Sequence, residues 1–179
     1  MMKEFARAEV SPQRELMERA KARFHDTMRG NVAFSLLLQD YATSGNHPGL
    51  SADVEKVHVE PYFLKPPGVI GMRDFGICMW SSPEHARQPD ITLRYLSVGR
   101  LHKARDTLII SDELVNELSR VLPVHYNPQD IAEGVLLDCF GGLRELEQTP
   151  GLDLVLNDQT HLYETRETAA IAEIAAHYL

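Results

Sequence analysis

The chain has 179 residues, of which 44% are apolar and 25% charged, and its formal net charge is −8. This composition excludes a disordered or fibrous chain, and the length suits a single globular domain over residues 1–179. The acidic balance makes broad affinity for nucleic acid unexpected, because phosphate binding requires positive charge.

Three features of the sequence predict a cytoplasmic protein that does not enter a membrane. Apolar stretches such as Val32 to Leu38 are far shorter than the ~20 residues of a membrane helix. Charged residues stand near the first methionine, where a signal peptide needs an apolar core. Cys78 and Cys139 are widely separated, and we expect both to be reduced thiols.

Two helices are predicted at the N-terminal end. Ser11 and Pro12 mark the first start, because serine caps free amides and proline suits the first helical position. The stripe that follows recurs every four residues, at Leu16, Ala20, Phe24 and Met28. We expect Asn31 to cap a second helix, Val32 to Tyr41, which is apolar on most sides and therefore predicted to be buried.

The pattern then changes to the period of two that is typical of strands. A strand is predicted from Val54 to Leu64, and Pro61 favours an edge position or a bulge. Further strands are predicted at Val69 to Trp80, Ile91 to Val98 and Thr107 to Ile110. Because turns rather than helical crossovers connect these segments, we expect a mostly antiparallel sheet.

Helices dominate the prediction for the last third of the chain. Ser111 and Asn127 are expected to cap two of them, and the second contains Gly134, Gly141 and Gly142. These glycines favour either a break near Gly141 or a close contact with another element.

A short alternating segment and one more helix complete the prediction. Residues Leu152 to Asn157 fit a fifth strand, and Thr165 is expected to start a terminal helix. The residues of that helix expected to pack inward are Ala169, Ala172, Ile174 and Ala175. The predicted fold class is therefore α+β, with a central, mostly antiparallel sheet of four to five strands flanked by N-terminal and C-terminal helices.

One group of side chains offers the chemistry of an active site. His58, Glu60 and Tyr62 alternate along one predicted strand, so they project from the same face. With His102 and Arg105, which follow a neighbouring strand, they form the candidate catalytic set of a small enzyme. A metal version of this site uses His58, Glu60, His102 and His125 as ligands. The simpler interpretation is that polar residues alternate because one face of the sheet meets water.

Common catalytic and cofactor motifs are missing from the sequence. It contains none of the patterns of a P-loop, a dinucleotide-binding turn, a zinc protease helix, a hydrolase nucleophile elbow or an EF-hand. The sequence therefore identifies no cofactor, which stays unknown.

The negative charge is concentrated at one end. Residues 112–179 hold thirteen carboxylates and three arginines, a net charge of −10, whereas the rest of the chain is close to neutral. We therefore expect a non-catalytic binding or regulatory protein that acts through protein contacts, with this acidic third as a docking face. Val32 to Tyr41 and the glycine-containing helix are candidates for a shared surface, for example in a homodimer. The alternative is the small enzyme described above.

Overall fold

The computed structural model describes residues 11–44, 50–64, 71–81, 93–102 and 105–178. Along the chain the elements are α1 (Pro12–Gly30), α2 (Val32–Thr43), a 3₁₀ turn (Val54–Lys56), β1 (Val57–Leu64), β2 (Met72–Ser81), β3 (Arg94–His102), β4 (Thr107–Ile110), α3 (Asp112–Val121), α4 (Pro128–Glu147), β5 (Leu154–Leu156), β6 (Tyr163–Thr165) and α5 (Arg166–Tyr178). The predicted α+β fold class is confirmed.

Polar side chains cap four of the helices where the sequence predicts it. Ser11 Oγ accepts a hydrogen bond from the backbone N–H of Arg14, and Asn31 Oδ1 accepts one from Phe34. Ser111 and Asn127 make the same kind of bond at the starts of α3 and α4. Each bond satisfies an amide that the helix itself leaves without a partner.

The central sheet is antiparallel throughout, in the order β1-β2-β3-β4. Pro61 lies in β1, an edge strand of this sheet, and the position agrees with the prediction made from that proline. The irregularity lies elsewhere, since the pairing of β2 with β3 shifts by one residue between Phe75 and Gly76. Residues 54–56 are a 3₁₀ turn rather than the beginning of the strand.

One face of the sheet forms the core together with α1, α2, α3 and α4. The strands contribute alternate apolar residues, among them Val59, Phe75 and Leu96. Helix α4 runs unbroken past its glycines, so the predicted break near Gly141 is wrong. The alternative prediction of a close contact holds for Gly142, where an added Cβ would stand 2.7 Å from Cδ2 of Phe24.

The C-terminal elements depart from the prediction. The segment expected to be a fifth strand gives β5, which pairs with β6 in a separate antiparallel hairpin and not with the four-stranded sheet. A single bridge, Tyr62 to Leu162, links the chain beside β6 to β1. Helix α5 packs mainly against this hairpin.

Several residues predicted to be buried are not. Ala172, Ile174 and Ala175 are exposed and Ala169 is only half-buried, because α5 has a small hairpin beneath it instead of the core. Val32 and Leu36 of α2 are also exposed, since this helix is covered on fewer sides than its composition suggests. The predicted starts of two strands, Val69 and Ile91, lie outside the described residues.

Two further observations concern membranes and cysteines. In the part of the chain that the structure describes, no helix combines the length and apolarity needed to cross a bilayer. Cys78 and Cys139 are both buried and free.

Candidate functional site

A slot between α1 and the edge strand β1 contains two of the predicted site residues, His58 and Glu60. An edge strand exposes backbone groups that need partners. Here Nδ1 of His25, on α1, accepts a hydrogen bond from the backbone N–H of Val59 at 3.3 Å. Arg29, one turn further along α1, donates to the carbonyl of Val57 at 3.2 Å. These contacts hold α1 against the edge and place its side chains beside those of β1.

An ion pair forms the inner end of the slot. Lys21 Nζ lies 2.5 Å from Oε1 of Glu60, and the Glu60 side chain is almost fully buried. Glu60 stands opposite Cys78 in the register of β1 and β2. Burial, and then the nearby Glu60 carboxylate, raise the pKa of the Cys78 thiol to about 12. Cys78 is therefore protonated at neutral pH and is not a reactive nucleophile.

Two imidazoles and an indole form the outer part of the slot. The ring centroids of His25 and His58 are 5.8 Å apart, and those of His58 and Trp80 are 5.6 Å apart. Because Nδ1 of His25 accepts a hydrogen bond, its ring proton is on Nε2 and the ring is neutral. Burial lowers the pKa of His25, and the charges of Arg29 and His58 lower it further.

The slot has a volume of about 310 Å³. Its lining residues are Glu18, Lys21, Ala22, His25, Asp26, His58, Val59, Glu60 and Trp80. The walls of the slot are mainly apolar and surround an ion pair and two imidazoles. Such a pocket suits a small ligand whose apolar part packs against the walls and whose polar end faces the charged groups.

Tyr62 shares the strand and the face with His58 and Glu60 but does not reach the slot. It is buried, and its ring packs edge to face against Tyr95 with centroids 5.1 Å apart. It also fills the space over Gly76, where an added Cβ would stand 2.8 Å from Cε1 of Tyr62. Burial, followed by the charge of Glu113, raises the pKa of the Tyr62 phenol. Its position is that of a packing residue.

The other predicted site residues do not line the slot. His58 pairs with Trp80 and His102 pairs with Met72, so they are separated by eight residues of β2, about 26 Å along the strand. Arg105 is exposed in the turn before β4. His125 is exposed between α3 and α4, with its ring against that of Tyr126.

The structure therefore does not bring the proposed metal ligands together. Among the described residues, no group of three or more His, Cys, Asp or Glu side chains is arranged to hold a metal ion.

Pattern reasoning missed His25 and Lys21, which contact His58 and Glu60 in the slot. Both precede β1 by more than thirty positions, and their helix offered no reason to choose them over its other charged residues. The available signal was their spacing of four residues, which places them on one face of α1 next to the buried stripe.

The acidic third contains a second cavity, a groove between α5 and the β5-β6 hairpin. Its volume is about 580 Å³. Its floor consists of small and aliphatic residues, namely Val155, Leu156, Ala169, Ala172 and Ala176. Asp158, Glu164 and Glu173 supply carboxylates at its rim. Arg166 also lines the groove, but its Nε donates to Oδ2 of Asp153 at 2.9 Å.

Comparison of the chain with protein-family models, with curated protein sequences and with solved structures finds no match in any of the three.

Proposed function

We propose that this protein is a non-catalytic binding protein, and that the groove between α5 and the β5-β6 hairpin receives a basic, amphipathic helical segment of a partner protein. The observation that carries this proposal is the incomplete packing of α5. This helix is rich in alanine and isoleucine, yet it rests mainly on a two-stranded hairpin. A helix of such composition normally buries its apolar side.

Charge supports the basic character of the partner. The three rim carboxylates outnumber the single arginine, and that arginine is already paired with Asp153. A helix that presents leucines to the alanine floor and lysines to the rim would match both the apolar and the charged parts of the groove. Alanines on the floor allow a second helix to approach closely, because they project little beyond the backbone.

A synthetic peptide tests the proposal directly. The probe is a fluorescent helical peptide with leucines on one face and lysines on the other, and its control carries glutamates in place of the lysines. We expect fluorescence anisotropy to detect binding of the basic peptide only, with an affinity that falls as salt is added. Equal binding of both peptides, or binding of neither, would contradict the proposal.

A pair of variants locates the binding. Ala172→Arg places a long cationic side chain in the groove, and we expect it to weaken binding at least tenfold. Ala175→Arg makes the same change on α5 at an exposed position outside the groove lining, and its affinity should be that of the parent protein. If both variants bind equally well, the peptide does not occupy this groove.

A second candidate function, a small enzyme, is favoured by the contact between His25 and His58. A neutral imidazole held by a backbone amide beside a solvent-exposed one suits general acid–base catalysis. In this hypothesis His58 removes a proton from water as the water attacks a bound substrate, and His25 and Trp80 position the His58 ring.

Hydrolysis of p-nitrophenyl acetate measures this activity. We expect a saturable rate that His58→Gln removes and His125→Gln leaves unchanged, since His125 lies in the exposed connection between α3 and α4. Equal losses in the two variants would mean that surface imidazoles react nonspecifically, and the enzyme hypothesis would fail.

A further inference from the structure

The outer side of α4 carries an exposed apolar surface that is separate from the α5 groove. Leu137 is 56% exposed and stands between Gly134 and Gly141. Apart from the adjoining residues and the backbone of α4 itself, no heavy atom of the described residues lies within 4 Å of the Cβ position of either glycine. Val32 and Leu36 of α2 extend this apolar area, with exposures of 77% and 40%. We call these five residues the α4 surface.

Helix α2 is held beside this part of α4 by a specific contact. Nδ2 of Asn31 donates to Oδ2 of Asp138 at 2.8 Å, and Val32 is the next residue along α2. The exposed apolar side chains of α2 therefore begin one residue from a contact with α4. An exposed leucine between two glycines provides a projection and two hollows on the same helix, which is what a second helix needs for close packing.

One exposed charged residue precedes Leu137 along α4 and another follows it. Glu133 and Arg144 are eleven residues apart, which is three turns of helix to within about 20°, so they lie on the same flank of α4. The guanidinium of Arg144 lies 5.6 Å from the ring centroid of Phe140, which also faces that flank. The midpoint between Glu133 and Arg144 falls between residues 138 and 139, about 2 Å along the helix axis from Leu137.

We propose that two copies of this chain associate through antiparallel pairing of their α4 helices. A two-fold axis perpendicular to a pair of antiparallel helices reverses their direction but keeps each flank on its own side. Glu133 of one copy then faces Arg144 of the other, and the same pair forms again at the other end. The two Leu137 side chains meet near the axis, where the glycines allow the backbones to come close.

The self-complementarity of the α4 surface favours a second copy over an unrelated partner. One helix supplies the projecting leucine, the hollows and both members of the charge pair in the order that two-fold symmetry requires. The area is limited to one helix with part of α2, and each copy carries a charge of −8. A reversible dimer with an affinity in roughly the micromolar range is therefore expected.

Sedimentation velocity over a concentration series tests this pairing. We expect the parent protein to shift from monomer to dimer and Leu137→Lys to stay monomeric at concentrations where the parent dimerises. Circular dichroism of Leu137→Lys verifies that the variant is folded, because Leu137 is exposed and its replacement should not disturb the core. A parent protein that is monomeric at every concentration would overturn the proposal.

A charge-reversal series tests whether the two α4 helices pair in the antiparallel orientation. Glu133→Arg and Arg144→Glu should each raise the dissociation constant about tenfold, whereas the double variant should restore dimerisation because both pairs are rebuilt with opposite signs. Glu145→Arg is the matched control for Glu133→Arg, since both substitutions change the net charge by the same amount, but Glu145 lies on the other flank of α4. A double variant that dimerises no better than the single ones would rule out the antiparallel pairing.

Dimerisation through the α4 surface should be independent of peptide binding in the α5 groove. The same variants retain every residue of that groove, so we expect them to bind the basic peptide with the affinity of the parent protein. Loss of dimerisation with retained peptide binding would assign the two surfaces to different partners. Loss of both would instead indicate unfolding, which circular dichroism detects.

Discussion

Helices α4 and α5 both belong to the acidic third of the chain, and both are rich in apolar residues, but they are packed very differently. Helix α4 buries seven residues, including Val135, Cys139 and Leu143, between the sheet and the helices α1 and α3. Helix α5 buries none among the side chains that the structure describes. Apolar content alone therefore does not decide burial, because the surface available beneath a helix is equally important.

The composition of α5 explains how it forms with so little support. Five of its thirteen residues are alanines, the residue with the highest helix propensity, and Thr165 Oγ1 accepts a hydrogen bond from the N–H of Thr168 at its start. Alanine also has little area to bury, so the loss from leaving α5 uncovered is modest. Helix α4 contains three glycines and depends on its contacts instead.

The largest expected effect comes from truncating a buried side chain of α4. Leu143→Ala should lower the free energy of unfolding by about 2–5 kcal/mol, since Leu143 is fully buried and its loss leaves a cavity. Ile174→Ala is the matched change on α5, where 59% of the side chain is exposed, and we expect it to stay within about 0.5 kcal/mol of the parent. Urea unfolding followed by circular dichroism measures both.

The relative stability of these two variants tests whether the outer side of α5 is exposed in solution. If Ile174→Ala were as destabilising as Leu143→Ala, α5 would be buried in solution by something that covers its outer side, for example another molecule. Repeating the measurement at several protein concentrations would identify that case, because stability gained by association rises with concentration.

Much of the fold was predictable because local patterns determined it. The caps at Ser11, Asn31, Ser111 and Asn127 and the period-two pattern around Val59 each act through neighbouring residues. The burial of α5 was not predictable, since it depends on what lies opposite the helix. Periodicity in Ala172 and Ile174 indicates which side is apolar, and it carries no information about a packing partner.

The candidate site was only partly predictable for the same reason. His58 and Glu60 come from one strand, so their shared face follows from the pleat of that strand. His25 and Lys21 join them only because α1 packs along the free edge of β1, a tertiary contact that leaves no local pattern. His102 has the right chemistry, but its place in the register puts it at the other end of the sheet.

Two adjacent glycines of α4 give the smallest and most specific prediction. Gly142→Ala places a Cβ 2.7 Å from Phe24, whose ring is itself buried, so the core must shift. We expect a net loss of about 1 kcal/mol, because overpacking outweighs the better helix propensity of alanine. Gly141→Ala points into open space and should instead raise the free energy of unfolding by roughly 0.5–1 kcal/mol.

The two variants should change the free energy of unfolding in opposite directions, and the measurement must resolve both changes. Thermal and urea unfolding should be performed at concentrations too low for self-association, so that any effect of Gly141→Ala on α4 pairing does not contribute. A stabilising Gly142→Ala would mean that Phe24 moves aside at little cost, and that the packing of α4 against α1 is looser than their contact indicates. A destabilising Gly141→Ala would mean that the outer side of α4 is covered even in the monomer, which removes the distinction between its two sides.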